Sequence, residues 1–125
     1  MCYVRISYIY VDDVGQRYTR HHDHAAVDST RPAGARALTF FLYLSDVESG
    51  GETDFPELGI RVTPRRGKAL LWANTLDSAP QEMDQRTYHQ ALPVKKGIKY
   101  AANAWIHLYD YQKADMWGCT GTMPG

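Results

Sequence analysis

Short runs of apolar, β-branched and aromatic residues, broken repeatedly by Gly and Pro turns, constrain this chain more than any other feature. Such runs suit strands, and no window has the length and period of a long helix. Val4 to Val11 reads as a first strand, Asp12 to Gln16 as a turn, and Tyr18 to His24 as extended again. Residues 25–35 lack periodicity and carry Pro and Gly, so they read as a loop. Arg36 to Leu44 is apolar on both faces, as in a central buried strand, and Ser45 to Glu52 has turn chemistry. Short strands are expected at Gly59 to Thr63 and Lys68 to Ala73, followed by a polar, irregular stretch from Asn74 to Tyr88. His89 to Val94 and Ile98 to Tyr109 read as the closing strands, split by Lys95-Lys96-Gly97. Many short strands with tight turns argue an all-β sandwich or barrel.

The 125 residues form one domain, 1–125, with about 112–125 as an irregular C-terminal tail. A domain of this size buries roughly two-thirds of its unfolded surface, enough for a core. Fourteen basic residues against fourteen acidic ones leave no net charge, which removes the electrostatic case for nucleic acid or a membrane surface. No apolar run approaches the roughly 20 residues that cross a bilayer. Met1 to Ile6 lacks a signal-peptide pattern and reads as a strand that begins at once, as in a catalytic core cut from a longer protein. Cys2 and Cys119 lie at opposite ends and form neither a C-x-x-C nor a disulfide framework, so two free thiols are favoured over one bridge.

Chemistry concentrates in Tyr18-Thr19-Arg20-His21-His22-Asp23, read with His89 and Lys99 far downstream. A histidine, a carboxylate two residues on and a distant second histidine form the ligand set of a facial-triad iron site, which leaves positions open for substrate and oxygen. Strand alternation puts His21 and Asp23 on one face and His22 and His24 on the other. Ligand identity alone does not separate iron from zinc, and a polar surface cluster is the bland alternative. In the last strand Lys99, Ala101, Asn103, Trp105 and His107 share one face. The opposite face, with Tyr100 and Ile106, is apolar and should pack against protein. A lysine facing a pocket beside a metal is placed to hold a carboxylate by a charge-assisted bond. His107 stays open as an alternative ligand to His89.

These residues fall within longer motifs: Gly15-Gln16-x-Tyr18-x-x-His21-x-Asp23, Arg36-x-x-Thr39, and Leu42-Tyr43-Leu44-Ser45-Asp46-Val47-Glu48. Gly50-Gly51-Glu52-Thr53-x-Phe55-Pro56, Pro64-x-x-Gly67-x-Ala69-Leu70-Leu71-Trp72 and His89-x-x-x-Pro93-Val94-x-x-Gly97-x-Lys99 follow in order. From about Ile6 to Tyr111 the chain resembles the catalytic domain of the prolyl 4-hydroxylases, a branch of the 2-oxoglutarate- and Fe(II)-dependent dioxygenases. The resemblance implies a double-stranded β-helix, a jelly-roll with a cupin-like core, here short of part of the N-terminal helical support. It implies His21, Asp23 and His89 as iron ligands, and Lys99 as the anchor of the distal carboxylate of 2-oxoglutarate. Thr53 and Tyr10 would assist Lys99, although Asp12 stands at the offset where the family carries its tyrosine. Tyr18, Arg36 and Trp105 would contact a proline-containing peptide or protein.

The implied reaction consumes O₂ and 2-oxoglutarate, hydroxylates peptidyl proline to 4-hydroxyproline and releases succinate and CO₂, with ascorbate as reductant. The compartment follows the source: the endoplasmic reticulum lumen in a eukaryote, the cytoplasm in a bacterium or virus. Rival readings are an oxygenase of a lysyl side chain or free amino acid, a non-catalytic peptide-binding module, and a zinc hydrolase. The last lacks an evident general base and leaves Lys99 without a role.

Overall fold

The period-two alternation becomes two facing antiparallel sheets in the computed structural model, which describes residues 8–110. Both cysteines, the start of the expected first strand and the tail from residue 112 lie outside the described residues. In chain order the strands are β1 (Tyr8–Asp12), β2 (Tyr18–His21), β3 (Arg36–Tyr43), β4 (Ser49–Gly50), β5 (Thr53–Phe55) and β6 (Ile60–Val62). They continue with β7 (Ala69–Ala73), β8 (Thr75–Leu76), β9 (Ala79–Met83), β10 (His89–Ala91), β11 (Val94–Lys96) and β12 (Lys99–His107).

One sheet runs β1-β12-β3-β7 and the other β2-β10-β5-β6. Two smaller pairs, β11 with β4 and β8 with β9, complete the double-stranded β-helix. Aromatic side chains fill the space between the sheets. The Trp72 ring lies 5.2 Å from Phe55 and 4.8 Å from His89, and Phe41 packs edge-on to Tyr43 at 5.1 Å. Offset and edge-to-face pairs at these separations add to the burial of the rings themselves. Tyr43 is fully buried, and its hydroxyl crosses to Thr53 of the opposite sheet at 2.5 Å.

Several expectations are corrected by this arrangement. The extended segment from Tyr18 stops at His21, because Asp23 leaves the ladder to accept a hydrogen bond from Thr39. The loop at 25–35 contains a 3₁₀ turn, Ala26–Thr30, organised around buried Asp28, which pairs with Arg31 at 3.1 Å and Arg36 at 2.9 Å. The irregular stretch at 74–88 holds the β8–β9 pair and a further 3₁₀ turn at Gln85–Thr87, where the Arg86 N–H donates to the Asp84 side chain. Lys95 and Lys96 are strand rather than turn, because β11 pairs with β4. Most of these elements are too short to carry a readable period, and the five residues of β9, APQEM, do not alternate.

β3 is central by pairing, yet its outward face is not covered. Across that face Ile9 (67% exposed), Tyr100, Phe40 and Leu71 (63%) reach solvent among the described residues. The apolar face of β12 therefore packs as expected only at Ala102 and Ala104. Among the described residues no helix is long and apolar enough to cross a membrane.

The Gly50-Gly51 pair lets β4 approach β11. Gly50 has φ +80°, and a Cβ there would lie 2.3 Å from the Pro93 carbonyl oxygen and 2.7 Å from the Lys95 nitrogen. Gly67 has φ +81° but faces open space. Gly67→Ala should cost about 1–2 kcal/mol from backbone strain alone, whereas Gly50→Ala must also move a strand and should cost about 3 kcal/mol or more. Denaturant unfolding of the two variants side by side tests this ranking, and equal losses would show that the close approach carries no weight.

Candidate metal centre

The β2–β10 ladder sets His21 directly opposite His89, with the two rings 4.3 Å apart. Each imidazole is oriented by its own backbone. His21 Nδ1 lies 2.8 Å from the Thr19 carbonyl and His89 Nδ1 lies 3.0 Å from the Thr87 carbonyl. A carbonyl accepts only, so Nδ1 carries the proton in both rings and the Nε2 lone pairs are free. Those Nε2 atoms face Asp23 Oδ1, at 3.4 Å from His21 and 3.7 Å from His89. Ligands about 2.1 Å from one ion at right angles stand about 3 Å apart. The three ligand atoms, all within 4.8 Å of one another, fit a single metal ion after a small inward adjustment.

Asp23 reaches this point through a hydrogen bond rather than through strand alternation. Thr39, at the middle of β3, donates to Asp23 Oδ2 at 2.7 Å, and Asn74 Nδ2 donates to the Thr39 hydroxyl at 2.8 Å. Thr39 and Asn74 are fully buried. Burial alone would raise the Asp23 pKa. The adjacent His21 and His89 rings, together with the hydrogen bond from Thr39, outweigh it and hold the carboxyl down at about 2. Burial pushes the His89 pKa below its ordinary value, against the pull of Asp23, which favours the neutral ring that ligates metals.

Lys99 opens β12 and projects into the same pocket, which Tyr10, Tyr18, Thr53, Trp72 and Asn103 also line. The lysine is 2% exposed, and burial lowers its pKa against the opposing field of Asp12. Asp12 faces it across the β1–β12 ladder with Oδ2 3.5 Å from Nζ. Tyr10 accepts a hydrogen bond from Asn103 Nδ2 at 3.0 Å, and its phenol is pushed up to about 12 by burial and by the Asp23 charge. It is therefore a neutral group in the pocket. Thr53 is fixed by Tyr43, as described above.

The structure thus gathers His21, Asp23, His89, Lys99, Thr53, Tyr10 and Tyr18 around one cavity. Arg36 and Trp105 stand outside its lining. They form a separate stack, with the guanidinium 3.6 Å over the indole and Tyr8 edge-on to Trp105 at 5.3 Å. Tyr8 connects this stack to Tyr10, the two rings being 6.2 Å apart. Tyr18 is 53% exposed, with its ring 4.2 Å from that of His21. His22 and His24 point away, as alternation predicts. They bond instead to the Asp84 carbonyl and Thr87 hydroxyl, and to the Gln81 carbonyl. His107 meets the Gly34 carbonyl, outside the ligand cluster.

Sequence reasoning placed Thr39, Tyr43 and Trp72 in motifs and Asn103 on the face of Lys99 without giving any of them a role, and it did not single out Asn74. Thr39, Phe41 and Tyr43 share the inner face of β3 by period two, and two polar side chains in an otherwise apolar strand were the available signal. Asn74 lies in no readable pattern. Thr39→Val should leave Asp23 and Asn74 each short of a buried partner, at a cost of about 1–3 kcal/mol. It should also weaken metal affinity by about 10- to 100-fold. Denaturation and a chelator-competition titration measure the two effects, and an unaltered metal affinity would reduce Thr39 to a packing role.

Residues 6–107 match the family model described as the 2OG-Fe(II) oxygenase superfamily. The chain is 42% identical over 97 residues to the chicken (Gallus gallus) prolyl 4-hydroxylase subunit alpha-2, covering 75% of this chain and 18% of that protein. It is 36% identical over 120 residues to the probable prolyl 4-hydroxylase 8 of Arabidopsis thaliana, covering 79% of this chain and 40% of that one. Among solved structures, it is similar to the viral collagen prolyl hydroxylase of Paramecium Bursaria Chlorella virus-1 in complex with 2OG. The TM-score there is 0.72 at 34% identity, over 82% of this chain and 57% of the viral one. The chain thus spans about a fifth of the length of the prolyl 4-hydroxylase subunit.

Proposed function

The chain belongs to the 2OG-Fe(II) oxygenase superfamily, and from that premise we propose that it hydroxylates peptidyl proline to 4-hydroxyproline, with succinate and CO₂ as coproducts. The observation that carries this reading is a single cavity with three metal-ligand side chains and a buried lysine on its walls. Neutral imidazoles with an anionic oxygen suit Fe(II), and two histidines and one carboxylate leave coordination positions for other molecules. When bound, the iron supplies the activation of O₂ and the oxidising power for the C–H bond, with ascorbate as the reductant that maintains it.

His21, Asp23 and His89 hold the metal, and the backbone carbonyls of Thr19 and Thr87 fix which nitrogen each ring presents. Lys99 holds the distal carboxylate of 2-oxoglutarate, and a charge-assisted bond in a buried setting is strong enough to orient it. The Thr53 hydroxyl and the Tyr10 phenol lie in the same lining and add hydrogen bonds there. Trp72, Phe41 and the aromatic wall keep water from the reacting carbon. Tyr18 and the Arg36–Trp105 stack receive the peptide. A proline-rich segment is extended and poor in N–H donors, so exposed aromatic faces are what can recognise it. This recognition is supported by the similarity to prolyl hydroxylases and by the exposure of Tyr18.

Two measurements test the proposal. Anaerobic titration with Fe(II) and 2-oxoglutarate should give the visible charge-transfer band of the chelate in the wild type and none in His89→Ala. Incubation with a panel of proline peptides and free amino acids should then yield a peptide product heavier by one oxygen atom, with succinate formed in step. Oxygen incorporation into a free amino acid or a lysyl side chain alone would overturn proline as substrate. A folded wild-type protein without the band would sink the metal and cosubstrate assignment.

A further inference from the structure

Lys99 is buried at 2% exposure, and a buried ammonium is costly unless a carboxylate answers it. Among the described residues the answering group within ion-pair distance is Asp12, at 3.5 Å, with the Glu52 charge contributing more weakly. The two partners differ in their freedom. Lys99 opens a strand paired on both sides, and its stem is confined by Gly51, whose added Cβ would come 3.3 Å from Lys99 Cδ. Asp12 is the last residue of β1, an edge strand, and its side chain is 23% exposed. A turn of Asp12 toward solvent is therefore open to it, whereas Lys99 stays where it is.

We propose that Asp12 is the resident counter-ion of Lys99 and sets the affinity for 2-oxoglutarate by competing with its distal carboxylate for the same ammonium. The proposal rests on Lys99 as the anchor of the cosubstrate. A second carboxylate arriving at Lys99 meets the first within a few ångströms, in a cavity where charges are poorly screened. Binding then requires either that Asp12 withdraw to solvent or that two anions share one cation. Both lower the affinity below what Lys99 alone would give. In exchange, Asp12 stabilises the protein when no cosubstrate is bound, because it spares the buried lysine from standing unpaired. Asp12 is thus a positioning residue for the cosubstrate subsite, acting through Lys99.

The test is calorimetric titration of the Fe(II)-loaded protein, without oxygen, using 2-oxoglutarate and, in parallel, 2-oxobutyrate. The second acid keeps the same chelating end but has no distal carboxylate. Asp12→Asn should bind 2-oxoglutarate about tenfold tighter or more and leave 2-oxobutyrate unchanged, while Asp12→Glu keeps the wild-type affinity. The ligand-free Asp12→Asn protein should unfold at lower denaturant, and saturating 2-oxoglutarate should raise its midpoint by more than it raises that of the wild type. Asp12→Ser, which removes the charge with a smaller side chain, is read the same way and guards against a folding defect peculiar to the amide.

Lys99→Ala separates the two layers of the argument. Loss of 2-oxoglutarate binding in Lys99→Ala, with no gain in Asp12→Asn or Asp12→Ser, would overturn the role of Asp12 and leave the anchor intact. An unchanged affinity in Lys99→Ala would remove the anchor and the competition together. An equal gain for both oxo acids in Asp12→Asn would also overturn the proposal, since it would place the effect at the chelating end.

Discussion

The hydrogen bond from Thr39 to Asp23 joins the two sheets at the point where the chemistry is assembled. Asp23 follows a strand of one sheet, and Thr39 sits at the centre of the other. With Oδ2 held by that bond, Oδ1 faces the two histidines. The bond also works electrostatically. It is one of the interactions that hold Asp23 ionised at 6% exposure, where burial alone would favour the neutral acid. Asn74 extends the arrangement by donating to one lone pair of the threonine hydroxyl.

Paired polar groups recur in the rest of the cavity. The ammonium of Lys99 is answered by Asp12, the hydroxyl of Thr53 by Tyr43, and the phenol of Tyr10 by Asn103. Asp23 and Lys99 are thus positioned by partners on other strands, and the two imidazoles by carbonyls of their own segments. Rigid strands carry these partners, which is how a pocket keeps its geometry to within the tolerance that oriented chemistry demands. The apolar outer face of the first sheet stands apart from all this, since none of its residues reaches the cavity.

How much of this was legible beforehand can be argued from particular residues. The strands at Arg36–Tyr43, Ala69–Ala73 and Lys99–His107 follow directly from period-two patterning, because each is long enough to repeat. β4, β8 and β11 were missed because two- and three-residue strands have no period to read, and β9 because its polar, proline-bearing run APQEM does not alternate. The 3₁₀ turn at Ala26–Thr30 was missed for a different reason: it is organised by a buried ion cluster around Asp28, and its partner Arg36 lies outside the segment. Of the cavity, the titratable residues could be named from spacing and motif. The partners of Thr39, Tyr43 and Asn103 could not be, since a neutral polar residue in a strand declares none, and Asn74 stood in no pattern.

The sequence by itself determined an all-β chain of oxygenase type, because alternation and a spaced set of His, Asp and Lys survive without any knowledge of what lies opposite. Tertiary structure alone decided that His21 faces His89 in the ladder, that Thr39 draws Asp23 between them, and that Asp12 rather than solvent answers Lys99. The physical reason is that pairing register and burial are properties of two strands together. Whether a charge is costly, ionised or partnered depends on neighbours that stand dozens of residues away.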